Sequence, residues 1–121
     1  RLLRDADKID ILKVLSEYYN NKNGKQNHTL TWELPKNPEI SKNVLKEVLS
    51  GKMVSKKNVV TENDVKIMQL SWVYDINYKP SFEHLAKFRY LEAIYNTLPK
   101  NDVVIDVYRK VKVFVENRIL N

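Results

Sequence analysis

Residues 101–121, NDVVIDVYRKVKVFVENRILN, decide the fold class. Their valines favour strand, because β-branched side chains suit a pleated surface. Their spacing favours helix: Val104, Val107, Tyr108, Val111, Val115 and Ile119 recur on one face of a 3.6-residue repeat. Length settles the matter. An unbroken run of roughly 20 residues far exceeds the usual strand of about 5–6. The stretch is predicted helical, and no other segment argues for β structure, so the chain is predicted all-α.

Working back along the chain, Pro99 stops a preceding helix that starts at Pro80 and Ser81. Leu85, Phe88, Leu91, Tyr95 and Leu98 repeat along it at helical spacing. Before it, TENDVKIMQLSWVYDINY (residues 61–78) opens with Thr61 and has Asp64 three residues on, a pattern close to a capping box. Its predicted buried stripe is Val65, Met68, Trp72 and Ile76. EISKNVLKEVLSG (residues 39–51) sets Ile40, Val44, Leu45, Val48 and Leu49 on one face, with Gly51 just past its end. The first helix is predicted from Leu2 to Tyr19. It has one apolar row of Leu2, Ala6, Ile9 and Leu12, and a second of Leu3, Ile11, Val14 and Tyr18. Residues 20–38, which contain NNKNGKQNH, Pro35 and Pro38, form the longest connection. The sum is a single helical region, residues 1–121, of about five helices with no repeat or Gly/Ser linker.

Composition narrows the function classes. The chain has no cysteine, which excludes a disulfide framework and thiolate metal sites and fits a cytoplasmic protein. No run approaches the roughly 18 apolar residues of a membrane span. The formal charge of +6 fits an anionic partner, whether phosphate, nucleic acid or a charged surface, and equally fits simple solubility. No glycine-rich phosphate loop, nucleophile elbow or zinc spacing is present.

The first helix poses the chemical question. A helix turns about 100° per residue, so Leu3, Asp7, Asp10 and Val14 share a face, and two acids are expected within an apolar row. Asp5 points nearer Ile9 and Leu12, where it can tilt to the edge. Carboxylates on a buried face need a cation or several donors. A divalent metal meets that need, and so does an Arg or Lys from another helix. Acids early in a helix are also ordinary, favoured by the macrodipole.

RDADKIDIL (residues 4–12) resembles the last signature segment of the HD-domain metal-dependent phosphohydrolases. LSWVYDINYKPSF (residues 70–82) looks like the C-terminal region of a bacterial subgroup of that family. The resemblance implies a helical domain whose metal ligands are a His, an adjacent His-Asp pair and a later Asp. It places that last ligand on Asp7, with Asp10 one turn on orienting a ligand, water or substrate hydroxyl. Lys8 resembles the basic position after the ligand, and Arg4 shares its face, so a substrate phosphate could meet both; a solvated basic edge explains the pair equally well. The implied cofactor is a divalent metal ion (Mn, Fe, Mg, Zn, Co or Ni), and the implied substrate is a nucleotide or another phosphate ester.

The chain departs from the family pattern. Its only histidines, His28 and His84, lie downstream and are followed by Thr29 and Leu85, not Asp. The sequence begins at Arg1 with a helical pattern already running. The expectation is therefore the C-terminal part of an HD domain, inactive alone, whose partner is the missing N-terminal part of the same domain. A non-catalytic helical interaction module is the alternative, with Asp7 and Asp10 paired to basic residues of a neighbour. A basic nucleic-acid-binding domain is a third, using Arg109, Lys110 and Lys112 with Lys56 and Lys57, although a solvated basic face explains those residues equally well. His28 is expected in solvent, His84 at the surface or in packing, and Asp75 in a turn, where Tyr74 and Tyr78 would stack on a base if it faced a cleft.

Overall fold

In the computed structural model, which describes residues 2–21, 34, 35 and 39–121, the C-terminal stretch is a helix, α6 (Asp102–Leu120). Asn101 caps it by accepting from the Val104 N–H at 2.9 Å. Val104, Val107, Val111 and Val115 form its buried face. Burial of that face, about 1.5–3 kcal/mol for each large apolar side chain, outweighs the weak strand preference of the valines.

The other helices are α1 (Leu2–Asn20), α2 (Lys42–Leu49), α3 (Glu62–Ser71), α4 (Lys79–Lys87) and α5 (Tyr90–Tyr95). Short 3-10 turns cover Lys56–Asn58 and Trp72–Asp75, and the described residues contain no strand. The all-α prediction holds, with six helices among the described residues where about five were expected. No helix among the described residues is long and apolar enough to cross a membrane.

Helix α3 lies at the centre. Every residue from Asp64 to Ser71 is buried, so it is a core helix rather than a one-sided amphipathic one. Its predicted start is correct: Thr61 accepts from the Asp64 N–H and Asp64 accepts from the Thr61 N–H, both at 3.1 Å. The buried Asp64 carboxylate also takes the Ser41 N–H at 2.9 Å and hydroxyl at 2.5 Å, and the Val60 N–H at 3.0 Å. One side chain thus fixes the starts of both α2 and α3. At the other end of α2, Gly51 (φ 77°) sits where the Lys52 and Gly51 N–H groups bond back to the Glu47 and Val48 carbonyls, a left-handed stop that glycine adopts without penalty.

The single helix predicted from Pro80 to Leu98 is broken in two. Arg89 adopts a left-handed conformation (φ 56°, ψ 42°), and its N–H closes on the Ala86 carbonyl. No Gly, Asn or Pro marks the break; a left-handed non-glycine residue costs about 1–2 kcal/mol. The turn redirects α5 so that Tyr90, Leu91, Ala93 and Ile94 are buried, and α1 packs chiefly on α5. Phe88, predicted in the buried row, is left 53% exposed. Helix α6 packs on α2, α3 and α4, closing a core around Phe82, Ile67, Met68 and Leu70.

Candidate functional site

Residues 4–12 and 70–82 are distant in sequence and meet in the fold. The Arg4 guanidinium donates to the Asp75 carboxylate at 3.3 Å. The Lys8 ammonium lies 5.2 Å from the centre of the Trp72 ring. Between them, Asp5 is fully buried and accepts from the N–H groups of Asn77 (3.0 Å) and Tyr78 (2.9 Å).

The local sequence explains why a carboxylate is wanted there. Ile76 and Tyr78 are extended, and Pro80 sits in the first turn of α4. The extended link has no neighbouring strand to accept its N–H groups, and Asp5 takes that role from α1. Burial alone would raise the Asp5 pKa. Hydrogen bonds from the Ser81 hydroxyl and from Tyr78 and Asn77 outweigh it and hold the carboxyl below its ordinary value. On the other side, Arg118 of α6 donates to the Asn77 carbonyl at 3.1 Å and covers the Phe82 and Phe114 rings.

Asp7 and Asp10 are not in a buried row. Both are exposed, as are Ile11 (43%) and Val14 (58%) beside them. The buried face of α1 holds Asp5, Leu12, Leu15 and Ser16, with Ile9 and Tyr19 partly covered, so it keeps Ile9 and Leu12 of the first predicted row, while Ala6 of that row and Ile11 and Val14 of the second are exposed. Leu2 and Leu3 side chains, His28 and most of the predicted 20–38 connection lie outside the described residues. Arg4 and Lys8, expected to share a phosphate, are directed at Asp75 and Trp72 instead. His84 is at the surface near the end of α4, its Nε2 3.1 Å from the Tyr90 hydroxyl and its ring tilted against Phe88. Asp10 and Glu17 of α1 reinforce the burial that raises the Tyr90 pKa.

Among the described residues no group of three or more His, Asp or Glu side chains could hold a metal ion. Asp7 and Asp10 therefore do not by themselves form the divalent site that the resemblance implies, and no metal-dependent step follows from their geometry. Spacing alone did not reveal Asp5 as the buried acid, although its phase with Leu12, Leu15 and Tyr19 carries the signal. No known protein family, curated protein or solved structure matches this chain.

Proposed function

We propose that the chain is the C-terminal helical part of an HD-type metal-dependent phosphohydrolase acting on a nucleotide or another phosphate ester. The supporting observation is that the two stretches carrying the resemblance form one unit, joined through Arg4 and Asp75, Asp5 and residues 77–78, and Lys8 and Trp72. In this reading Asp5 is a positioning residue that sets α1. Asp7 and Asp10 face outward beside Ile11 and Val14, where a further helical segment bearing a His and a His-Asp pair would cover them. Arg4 and Lys8 would reach a substrate phosphate from the rim. A cytoplasmic location belongs to the same proposal, supported by the cysteine-free composition.

Residues 1–121 are expected to bind divalent metal weakly and to show no turnover of an aryl phosphate. Measurable turnover by a clean preparation would refute the division of the site. In a longer polypeptide supplying the His-Asp segment, Asp7→Ala should remove the bound metal; unchanged metal content and activity would sink the assignment.

A second reading is favoured by the exposure of the apolar Ile11 and Val14 beside Asp7 and Asp10. In it the outer face of α1, acidic and apolar together, docks a partner segment with no catalysis. An adjacent His-Asp pair elsewhere in the polypeptide separates the two, because only the enzyme reading requires it.

A further inference from the structure

Two open grooves meet at Ser50, just past the end of α2. One, of about 370 Å³, is lined by Lys46, Lys52 and Lys57 with the side-chain amides of Asn43 and Asn58. The other, of about 620 Å³, runs along α6 and is lined by Arg109 and Lys110 over Val113, Phe114 and Tyr74. All five cations are exposed, and none is in an ion pair among the described residues. Two acids share the surface, and one is already engaged. The Glu47 carboxylate accepts from the Ser55 N–H (3.0 Å) and hydroxyl (2.7 Å) and from the Asn58 amide (2.7 Å), bonds that hold its pKa below the ordinary value. Asp106 is the other.

Charges of one sign gathered on a continuous surface raise the local potential and attract an anion. Neither groove is enclosed, and the cations are divided between both, so the surface suits an extended chain of phosphates better than one phosphate group. The floor adds a second chemistry. Phe114 and Tyr74 pack edge to face at 4.7 Å, and the Tyr74 hydroxyl is buried without a hydrogen-bond partner among the described residues. An aromatic floor beside a cationic rim is the pattern that takes unpaired bases along with their backbone.

We propose that the joined grooves bind single-stranded nucleic acid, with phosphates on Lys46, Lys52, Lys57, Arg109 and Lys110 and a base against the Phe114–Tyr74 floor. This site is separate from the α1 face and independent of the hydrolase reading.

The test is fluorescence anisotropy of a labelled single-stranded 12-mer RNA, titrated with residues 1–121 over a range of salt. Log affinity should fall with log salt at a slope of about −3.5 if all five cations are engaged, and about −1.4 in the triple variant Lys46→Ala/Lys52→Ala/Lys57→Ala. That variant should bind about tenfold more weakly or worse at moderate salt. Phe114→Leu, which removes a ring of the floor and keeps an apolar side chain, should weaken binding without changing the slope. The charge-matched control Lys13→Ala/Lys79→Ala/Lys87→Ala should keep the parent slope and affinity. Equal loss in that control would overturn the site in favour of general charge attraction. Competition by polyglutamate as effective as by RNA would reassign the surface to an acidic protein. Tighter binding of a duplex would overturn the single-strand assignment.

Discussion

Asp5 and Asp7 stand two residues apart on α1 and face opposite fates. The inner edge of the helix buries Asp5 against residues 77–81 and gives its carboxylate several donors. The outer edge leaves Asp7 and Asp10 exposed beside Ile11 and Val14. The same residue type is structural on one edge and available on the other. The difference lies in whether the surrounding backbone supplies N–H groups, not in the acid itself. A carboxylate that holds the fold together has little freedom for chemistry, so a search for function on α1 belongs on the outer edge.

The largest expected effect is on the inner edge. Asp5→Ala should lower unfolding stability by about 3 kcal/mol in urea titration, because it removes the carboxylate that accepts the Asn77 and Tyr78 N–H groups. Asp64→Ala should cost a similar amount, about 3 kcal/mol, for the same reason at the junction of α2 and α3. A loss under about 0.5 kcal/mol at Asp5 would erase the distinction between the edges.

The next test is acid unfolding. The folded pKa of Asp5 lies below its unfolded value of about 3.9, so its contribution is complete above that value and fades as pH falls through the folded pKa. Asp5→Asn should flatten the loss of stability below about pH 4 relative to the parent. Identical acid limbs for the parent and Asp5→Asn would contradict the hydrogen-bonded carboxylate.

Smaller effects sharpen the comparison. Arg4→Ala removes an ion pair whose arginine is 64% exposed, and should cost no more than about 0.5 kcal/mol, less at high salt. Asp7→Ala and Asp10→Ala should each stay within about 0.5 kcal/mol of the parent by thermal melting. A large loss at either position would mean that the outer edge is also structural.

Legibility in the sequence differed from one element to another. Helix α6 was readable because its repeat is long and its apolar residues keep one phase. The Thr61–Asp64 cap and Gly51 were readable because each answers a local backbone need. The break at Arg89 was not, since tertiary packing of α5 imposes it on a residue with no turn preference. The inner edge of α1 was ambiguous because Ile11 and Val14 continue the apolar pattern onto the outer side. For the candidate site, the short motif directed attention to α1, but only the packing of residues 75–81 distinguished Asp5 from Asp7.

The bond from Asp5 to the Asn77 and Tyr78 N–H groups has a consequence for dynamics. These two amide protons are held by a carboxylate 72 and 73 positions away, not by a helix of their own. Their hydrogen exchange therefore reports the lifting of α1 from the body, whereas amides within α3 exchange only on deeper opening. The chain carries a built-in gauge of how firmly its first helix is docked.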